Sequence, residues 1–195
     1  PVTLPVPFFQ VPEGLPIVLL QGSGINIHRG AEELVQAMQY VDVAQLVIVG
    51  GGDVVTVLKQ MSANLKLDQK ISFIPKVPFE ELRYYTSKAA IGVSMDKDTN
   101  INYRFMLPNK IFEYIHAGVP VLVSPMVEMK KIVDGYQVGE TITNHRPEDI
   151  AKHITKMISN KDQLAFYKAN CKQAATELNW DTEKKVLIKI LEKYA

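Results

Sequence analysis

Residues 107–124 read LPNKIFEYIHAGVPVLVS and decide the fold class. Asn109 is a suitable helix N-cap, because its side-chain oxygen can accept a hydrogen bond from a free backbone amide. Gly118 is suited to end the helix, and Pro120 prevents it from resuming. The apolar run 121–123 is typical of a strand covered on both faces. The stretch therefore predicts a short helix followed by a buried strand of an α/β sheet.

The predicted start of this helix is also a candidate ligand site. In open α/β sheets, ligands bind near the carboxyl ends of the strands, where such helices begin. Free backbone amides at a helix start, together with Lys110, suit a phosphate. The ionised Glu113 suits paired sugar hydroxyls because it can accept hydrogen bonds from both. The alternative for Glu113 is a solvated residue that only stabilises the helix dipole, by about 0.3–1 kcal/mol.

Up to Pro147 the chain alternates apolar strands with helices. Strands are predicted at 15–21, 46–49, 71–74, 89–95, 119–124 and 136–140. This alternation is typical of a parallel sheet with right-handed crossovers. We therefore predict an α/β, Rossmann-like domain of about six mainly parallel strands with helices on both faces. After Pro147 the pattern is helical only, which predicts a helical C-terminal segment.

The chain divides into three segments. Residues 1–14 are rich in proline, which favours a linker or an extended strap. We assign 15–178 to the α/β domain and 179–195 to a C-terminal helix. The proline-rich beginning leads us to expect that the chain was cut from a longer protein, with an ordinary ragged terminus as the alternative.

Composition and charge argue against several classes of protein. The 195 residues are 47% apolar and 22% charged, with a net charge of +1, which is ordinary for a soluble domain. This balance gives no support for broad nucleic-acid binding, so we expect no nucleic-acid partner. Cys171 is the single cysteine, which rules out an internal disulfide and favours a reducing, cytoplasmic location. No apolar run approaches the roughly 20 residues of a membrane-spanning helix.

The order of these features resembles the C-terminal, donor-binding domain of GT-B-fold glycosyltransferases, and of the family-four (group 1) retaining enzymes in particular. The most specific parts are PNKIFEY at 108–114 and AGVPV at 117–121. The glycine-rich loop that leads to Arg29, the glycines at 50–52 and PFEELRYY at 78–85 support the resemblance, which covers nearly the whole chain. It implies transfer, with retention, of a sugar from a nucleotide-diphosphate sugar to a polysaccharide or lipid-linked acceptor.

The same resemblance implies roles for individual residues. Glu113 matches the glutamate that binds the ribose hydroxyls, and Val77 lies in the segment whose backbone meets the nucleobase. Arg29 matches a basic residue that contacts the diphosphate, with an ordinary surface ion pair as the alternative. The loop and the helix start that face the phosphates comprise Gly22, Ser23, Gly24, Asn109 and Lys110. Arg29 and Lys110 are then the expected stabilisers of the leaving phosphate, and the catalytic residue is left unassigned.

Two positions depart from the family pattern. Phe105 stands where many members have a glutamate that touches the donor sugar, so that contact is unassigned. Ser23 or a neighbour stands where members tend to have an arginine, so half of the usual basic pair is missing. Lys110 or Arg104 is the hypothesised substitute.

Partners and cofactors follow from the resemblance as well. The ligand is a nucleotide sugar, and an N-terminal acceptor domain of the same protein, reached by the helix near Trp180, completes the cleft. Without that domain we expect weak nucleotide binding and little or no turnover. For the full-length protein, peripheral contact with the inner face of the membrane is expected from the family alone.

Two further interpretations concern the chemistry. Asp96 and Asp98, with one residue between them, could hold Mg²⁺, but the resemblance implies enzymes that need no bound metal, so we expect no metal and no other cofactor. A sugar-nucleotide epimerase of GT-B-like fold and a non-catalytic α/β binding module stay open as alternative functions.

Overall fold

The structure, a computed structural model, describes residues 13–194, with the side chains at 186 and 194 left out. The predicted linker over 1–14 lies outside the described residues except for its last two positions. The strands are β1 Ile17–Gly22, β2 Gln45–Gly50, β3 Ile71–Ile74, β4 Ile91–Ser94, β5 Val121–Val123 and β6 Gly139–Thr141. The helices are α1 Ala31–Ala37, α2 Val55–Asn64, α3 Phe79–Lys88, α4 Ile101–Arg104, α5 Asn109–His116, α6 Val127–Tyr136, α7 Pro147–Ser159, α8 Lys161–Ala175 and α9 Trp180–Tyr194.

The strands form one sheet in the order β3-β2-β1-β4-β5-β6, and every neighbouring pair is parallel. This confirms the predicted Rossmann-like α/β fold, with a sheet that is parallel throughout. The strand order reverses between β1 and β4. At such a reversal the connections leave in opposite directions, which opens a crevice at the carboxyl ends of the strands where ligands bind.

Strand β1 lies in the middle of the sheet and is buried on both faces. Its side chains alternate, so Val18 and Leu20 pack into a core with α1 and α7. Ile17 and Leu19 point the other way, into a core with α3 and α5. The strand ends with the polar Gln21, which is only 1% exposed. A buried amide at this place requires hydrogen-bond partners.

Helix α5 ends where the sequence predicts but starts one residue earlier, because Asn109 is not its N-cap. The N-cap is Pro108, with φ −69° and ψ 139°, and Asn109 is the first helical residue, with no side-chain capping bond. The prediction was wrong because the fixed φ of proline already suits the extended N-cap position. The predicted end is confirmed, since Gly118 has φ 71° and its N–H donates to Ile115 O at 2.9 Å.

Helix α4 was not predicted from the sequence. Asn100 is its N-cap and accepts a hydrogen bond from the Tyr103 backbone N–H at 3.1 Å. The helix is a single turn, so it carries no periodic apolar pattern that the sequence could reveal. It matters because it brings Tyr103 and Met106 against Arg29.

The predicted helical C-terminal segment is confirmed, and its last helix leaves apolar side chains uncovered. Along α9, the exposed fractions lie between 47% and 69% for Trp180, Leu187, Ile188, Ile190 and Leu191. No helix in the described part of the chain combines the length and the apolar character needed to cross a membrane.

Candidate functional site

The loops that follow β1 and β2 contact each other at the carboxyl edge of the sheet. Gly51 N–H donates to Gly22 O at 3.3 Å, and Ile25 N–H donates to Gly51 O at 2.9 Å. A side chain at Gly50 could not be accommodated, because its Cβ would lie 1.8 Å from Gly22 O. The two loops therefore touch along their backbones. The predicted phosphate loop, Ser23 included, lies exposed at this edge.

Arg29 reaches the end of β4 because the β1–α1 loop packs against it. Gly30, with φ 68°, is the N-cap of α1, and a Cβ there would lie 2.1 Å from Met95 O. Lys97 N–H donates to His28 O at 3.0 Å. These contacts place the Arg29 side chain over the residues that follow β4.

The Arg29 guanidinium is held by a buried carboxylate. Its Nη1 lies 2.7 Å from Asp96 Oδ1, and Asp96 is fully buried. Ser94 Oγ donates to the other Asp96 oxygen at 2.9 Å. The Tyr103 ring lies 4.8 Å from the guanidinium carbon, within cation–π distance. The ion pair considered for Arg29 from the sequence is therefore present, but its carboxylate is in the interior rather than on the surface.

Lys110, at the start of α5, is electrostatically coupled to the same cluster. Burial lowers its pKa, and the positive charge of Arg29 acts in the same direction. The carboxylates of Asp96 and Glu113 oppose the shift. Lys110 is thus within electrostatic range of Arg29 and of the buried carboxylate of Asp96. This group, Arg29, Asp96 and Lys110, is called the cation cluster below.

Glu113 lies further along α5 and is held by a neutral residue. Gln21 Nε2 donates to Glu113 Oε2, and Thr86 Oγ1 donates to Gln21 Oε1 at 2.8 Å. The next residue, Tyr114, is fully buried, and burial raises the pKa of its hydroxyl. Gln21 N–H donates to that hydroxyl at 3.2 Å. Two successive residues of α5 are therefore tied to the carboxyl end of β1.

A cavity of about 490 Å³ opens between α3 and α5 beside Glu113. It is lined by Gln21, Phe79, Leu82, Arg83, Thr86, Ser87, Asn109, Phe112, Glu113, His116 and Ala117. The predicted residues Asn109 and Glu113 thus face one space. Val77 is in the loop before α3, two positions ahead of the lining residue Phe79.

Gln21, Thr86 and the role of Asp96 were not predicted from the sequence. A signal existed for Gln21, because a glutamine at the end of the apolar run IVLL departs from the pattern of a strand buried on both faces. Thr86 and Asp96 gave no comparable signal. Their partners are 65 and 67 residues away in the chain.

Asp96 and Asp98, the two carboxylates considered for a metal, have different partners. Asp96 pairs with Arg29, whereas Asp98 Oδ2 lies 2.9 Å from Arg104 Nε on the exposed side of the loop. The two carboxylates thus contact different arginines. Across residues 13–194, no group of three or more His, Cys, Asp or Glu side chains is arranged to hold a metal ion.

The model of the family "Glycosyl transferases group 1" matches residues 8–177. The chain belongs to this family. The predicted resemblance is thereby confirmed.

This group 1 glycosyltransferase chain matches part of a longer curated protein. "Uncharacterized glycosyltransferase MJ1069" of Methanocaldococcus jannaschii is 28% identical over 177 residues, which cover 85% of this chain and 42% of that protein. The chain therefore spans less than half of the curated relative that it matches.

Solved structures share the fold of this group 1 glycosyltransferase chain. A sucrose-phosphate synthase of Thermosynechococcus elongatus is 21% identical, with a TM-score of 0.79 over 95% of this chain and 47% of that one. HepE of Anabaena, in complex with UDP-glucose, is 17% identical, with a TM-score of 0.77 over 92% and 49%. The C-terminal domain of LpcC, a group 1 family protein of Francisella tularensis, is 17% identical, with a TM-score of 0.69 over 86% and 87%.

Proposed function

We propose that this chain is the donor-binding half of a retaining glycosyltransferase that uses a nucleotide-diphosphate sugar. The observation that carries the proposal is the arrangement at the carboxyl edge of the sheet: the cation cluster lies next to Glu113, and both lie where the strand order reverses. A diphosphate and a ribose diol are adjacent groups of one nucleotide. Cations suit the diphosphate and a carboxylate suits the diol, so the side chains lie in the same order as the groups of the nucleotide. The UDP-glucose complex of HepE supports a nucleotide sugar as the ligand class.

At the phosphate end, the task is to stabilise a leaving group. In the reaction, the bond between the anomeric carbon and a diphosphate oxygen breaks, and a bond from that carbon to an acceptor hydroxyl oxygen forms as the hydroxyl passes its proton to an oxygen of the departing diphosphate. The departing nucleoside diphosphate gains negative charge, which Arg29 and Lys110 stabilise together with the amides at the start of α5. Of the two candidates to replace the missing arginine, Lys110 is favoured, because Arg104 is exposed and paired with Asp98.

At the nucleoside end, Glu113 accepts hydrogen bonds from the two ribose hydroxyls. The cavity between α3 and α5 gives room beside this carboxylate. The backbone near Val77, at the entrance to α3, is our candidate for contact with the base. No metal and no cofactor takes part in the proposed reaction.

The acceptor site belongs to a second domain in this proposal. The uncovered apolar side chains of α9 are the surface that we assign to contact with that domain. The acceptor is a polysaccharide or lipid-linked molecule, and the protein works in the cytoplasm, with peripheral contact at the inner face of the membrane. The isolated chain binds nucleotide weakly and turns over little or nothing.

The decisive experiment is calorimetric titration of UDP, GDP and ADP into the chain and into Glu113→Gln. We expect at least one nucleotide to bind, and its affinity to fall about 10- to 100-fold in the variant, because a charged hydrogen bond contributes roughly 1.5–3 kcal/mol. Glu128→Gln is the matched control, since Glu128 lies on α6 and pairs with the exposed Lys131. Failure of all three nucleotides to bind, or equal loss in the two variants, would contradict the proposal.

Activity separates the remaining alternatives. A version that carries the second domain should transfer sugar only when an acceptor is present. Conversion of the donor without acceptor would instead indicate an epimerase. Robust sugar transfer by the isolated chain would contradict the proposal that the donor and the acceptor are bound by two different domains.

A further inference from the structure

We infer that Gln21 is a positioning residue, which orients Glu113 for the ribose diol through a hydrogen-bond chain that begins at Thr86. The inference rests on the proposed function, because it concerns the same carboxylate. Gln21 is not among the residues that the sequence or the family resemblance singled out.

The side-chain amide of Gln21 is buried, and both its nitrogen and its oxygen are hydrogen-bonded. Its side chain is essentially inaccessible to water. An amide in such a place costs roughly 1–3 kcal/mol if its hydrogen bonds are missing. Both ends of this amide have partners, since Nε2 donates to Glu113 and Oε1 accepts from Thr86 at 2.8 Å. The amide is therefore fixed in place rather than free to rotate.

The chemistry of the groups determines which one donates in each hydrogen bond between Thr86, Gln21 and Glu113. An ionised carboxylate only accepts hydrogen bonds, so the NH₂ group of Gln21 must face Glu113. The amide oxygen then faces Thr86, whose hydroxyl donates. That hydroxyl also lies 2.9 Å from Leu82 O, so its single proton serves either acceptor. Gln21 is thus the essential link, and Thr86 makes the smaller contribution.

Gln21 holds Glu113 without cancelling its negative charge. A lysine or arginine in place of Gln21 would fix the carboxylate equally well, but it would cancel much of the negative charge. A neutral amide fixes one carboxylate oxygen and leaves the charge available to the ligand. Hydrogen bonds from a diol to an ionised carboxylate are stronger than those to a neutral acceptor. Fixing the carboxylate in advance also lowers the entropy lost on binding.

The positioning of Glu113 is separable from the structural support of α5. The backbone of Gln21 has its own tie to α5, because its N–H donates to the Tyr114 hydroxyl at 3.2 Å. That hydroxyl in turn donates to Leu19 O at 3.0 Å. A change of the Gln21 side chain leaves these contacts in place. Helix α5 therefore keeps its attachment to β1, while Glu113 loses the hydrogen bond that orients it.

The test compares a nucleoside diphosphate with its 2′,3′-dideoxy analogue. The probe is whichever of UDP, GDP and ADP binds the chain most tightly. In Gln21→Met, which has similar size and no amide, we expect affinity for the ribose nucleotide to fall about fivefold, and affinity for the dideoxy analogue to stay unchanged. Thr86→Val should also lower the preference for the ribose nucleotide over the dideoxy analogue, but by a smaller factor.

Gln45→Met is the matched control. Gln45 is also buried, but it begins β2 at the opposite edge of the sheet, where its Nε2 donates to Leu15 O at 2.8 Å. This variant should keep the full preference for the ribose nucleotide. If Gln21→Met does not fold, Thr86→Val alone decides the matter.

The outcomes distinguish this inference from the proposed function. If neither nucleotide form binds the unchanged chain, the proposed function fails. If the unchanged chain prefers ribose but Gln21→Met weakens both forms equally, or weakens neither, the proposed function stands and the positioning role is overturned.

Discussion

The two ends of the candidate site hold their charged side chains in opposite ways. At the nucleoside end the neutral Gln21 holds the anion Glu113, whereas at the phosphate end the buried anion Asp96 holds the cation Arg29. A neutral partner leaves the charge of the held group intact, and a charged partner cancels part of it. We therefore expect Gln21 to leave the negative charge of Glu113 unreduced, and Asp96 to reduce the positive charge of Arg29. Lys110 then supplies the cation that Arg29 has partly lost.

The largest effect is expected from Asp96→Asn, which removes the cancelling charge. The free energy of unfolding should fall by about 2–3 kcal/mol, less than for a fully buried pair, because Arg29 is 27% exposed and can gain water. At the same time, affinity for inorganic pyrophosphate should rise several-fold, since Arg29 is released. Urea unfolding and calorimetric titration measure the two changes.

Asp98→Asn is the control for that substitution. Asp98 and its partner Arg104 are 43% and 55% exposed, so the loss should stay below about 1 kcal/mol. Equal destabilisation by the two variants, or unchanged pyrophosphate affinity in Asp96→Asn, would show that Asp96 does not restrain Arg29 in the way described.

The next effect concerns Lys110→Met, which removes the second cation from the phosphate end. Affinity for a nucleoside diphosphate should fall about tenfold, the equivalent of 1.4 kcal/mol. Lys110→Arg should retain most of it, because the charge is kept. An unchanged affinity in Lys110→Met, measured by calorimetry, would reject Lys110 as a stabiliser of the leaving phosphate.

A smaller effect is expected from pH. Because burial lowers the pKa of Lys110, its charge is lost at a lower pH than for an ordinary lysine. Pyrophosphate affinity should therefore decline as alkaline pH passes that lowered pKa. Folding stability should move the other way, because the unfolded chain keeps this proton to higher pH, so the contribution of Lys110 to the unfolding free energy rises between the two pKa values. Pyrophosphate affinity measured over a pH series for the unchanged chain and for Lys110→Arg checks this prediction. An identical decline of affinity in both proteins would contradict it.

The smallest effect is expected at Asn109, where the structure corrected the sequence. Since Asn109 caps nothing, Asn109→Ala should change the unfolding free energy by less than about 0.5 kcal/mol. Asn160→Ala should cost about 1 kcal/mol, because Asn160 caps α8 by accepting from Gln163 N–H at 3.0 Å. Lower nucleotide affinity in Asn109→Ala without lower stability would place this side chain at the nucleoside end of the ligand. A stability loss as large as that of Asn160→Ala would restore the capping role.

The order of strands and helices was predictable because it depends on patterns that are local in the chain. Residues 117–123 show this best, since Gly118 ends α5 and the apolar run after it forms β5 as expected. The N-cap was misplaced by one residue because two suitable residues, Pro108 and Asn109, stand side by side. Helix α4 escaped prediction because one turn held by Asn100 has no periodic pattern.

The candidate site was predictable only in part, and for a physical reason. Residue type alone indicates that Lys110 suits a phosphate and Glu113 suits a diol. Which group restrains each charge depends on contacts across the sheet. Gln21 and Glu113 are separated by 92 positions, and a sequence without structure cannot rank such pairs.

The exposed position of Trp180, at the start of α9, has a practical consequence. It is the single tryptophan among the 195 residues, so all indole fluorescence of the chain comes from this one point. An indole in water emits at longer wavelength than one enclosed by protein. Covering of α9 by the proposed second domain, produced separately, should therefore shift the emission to the blue, and its binding could be followed optically without any attached dye.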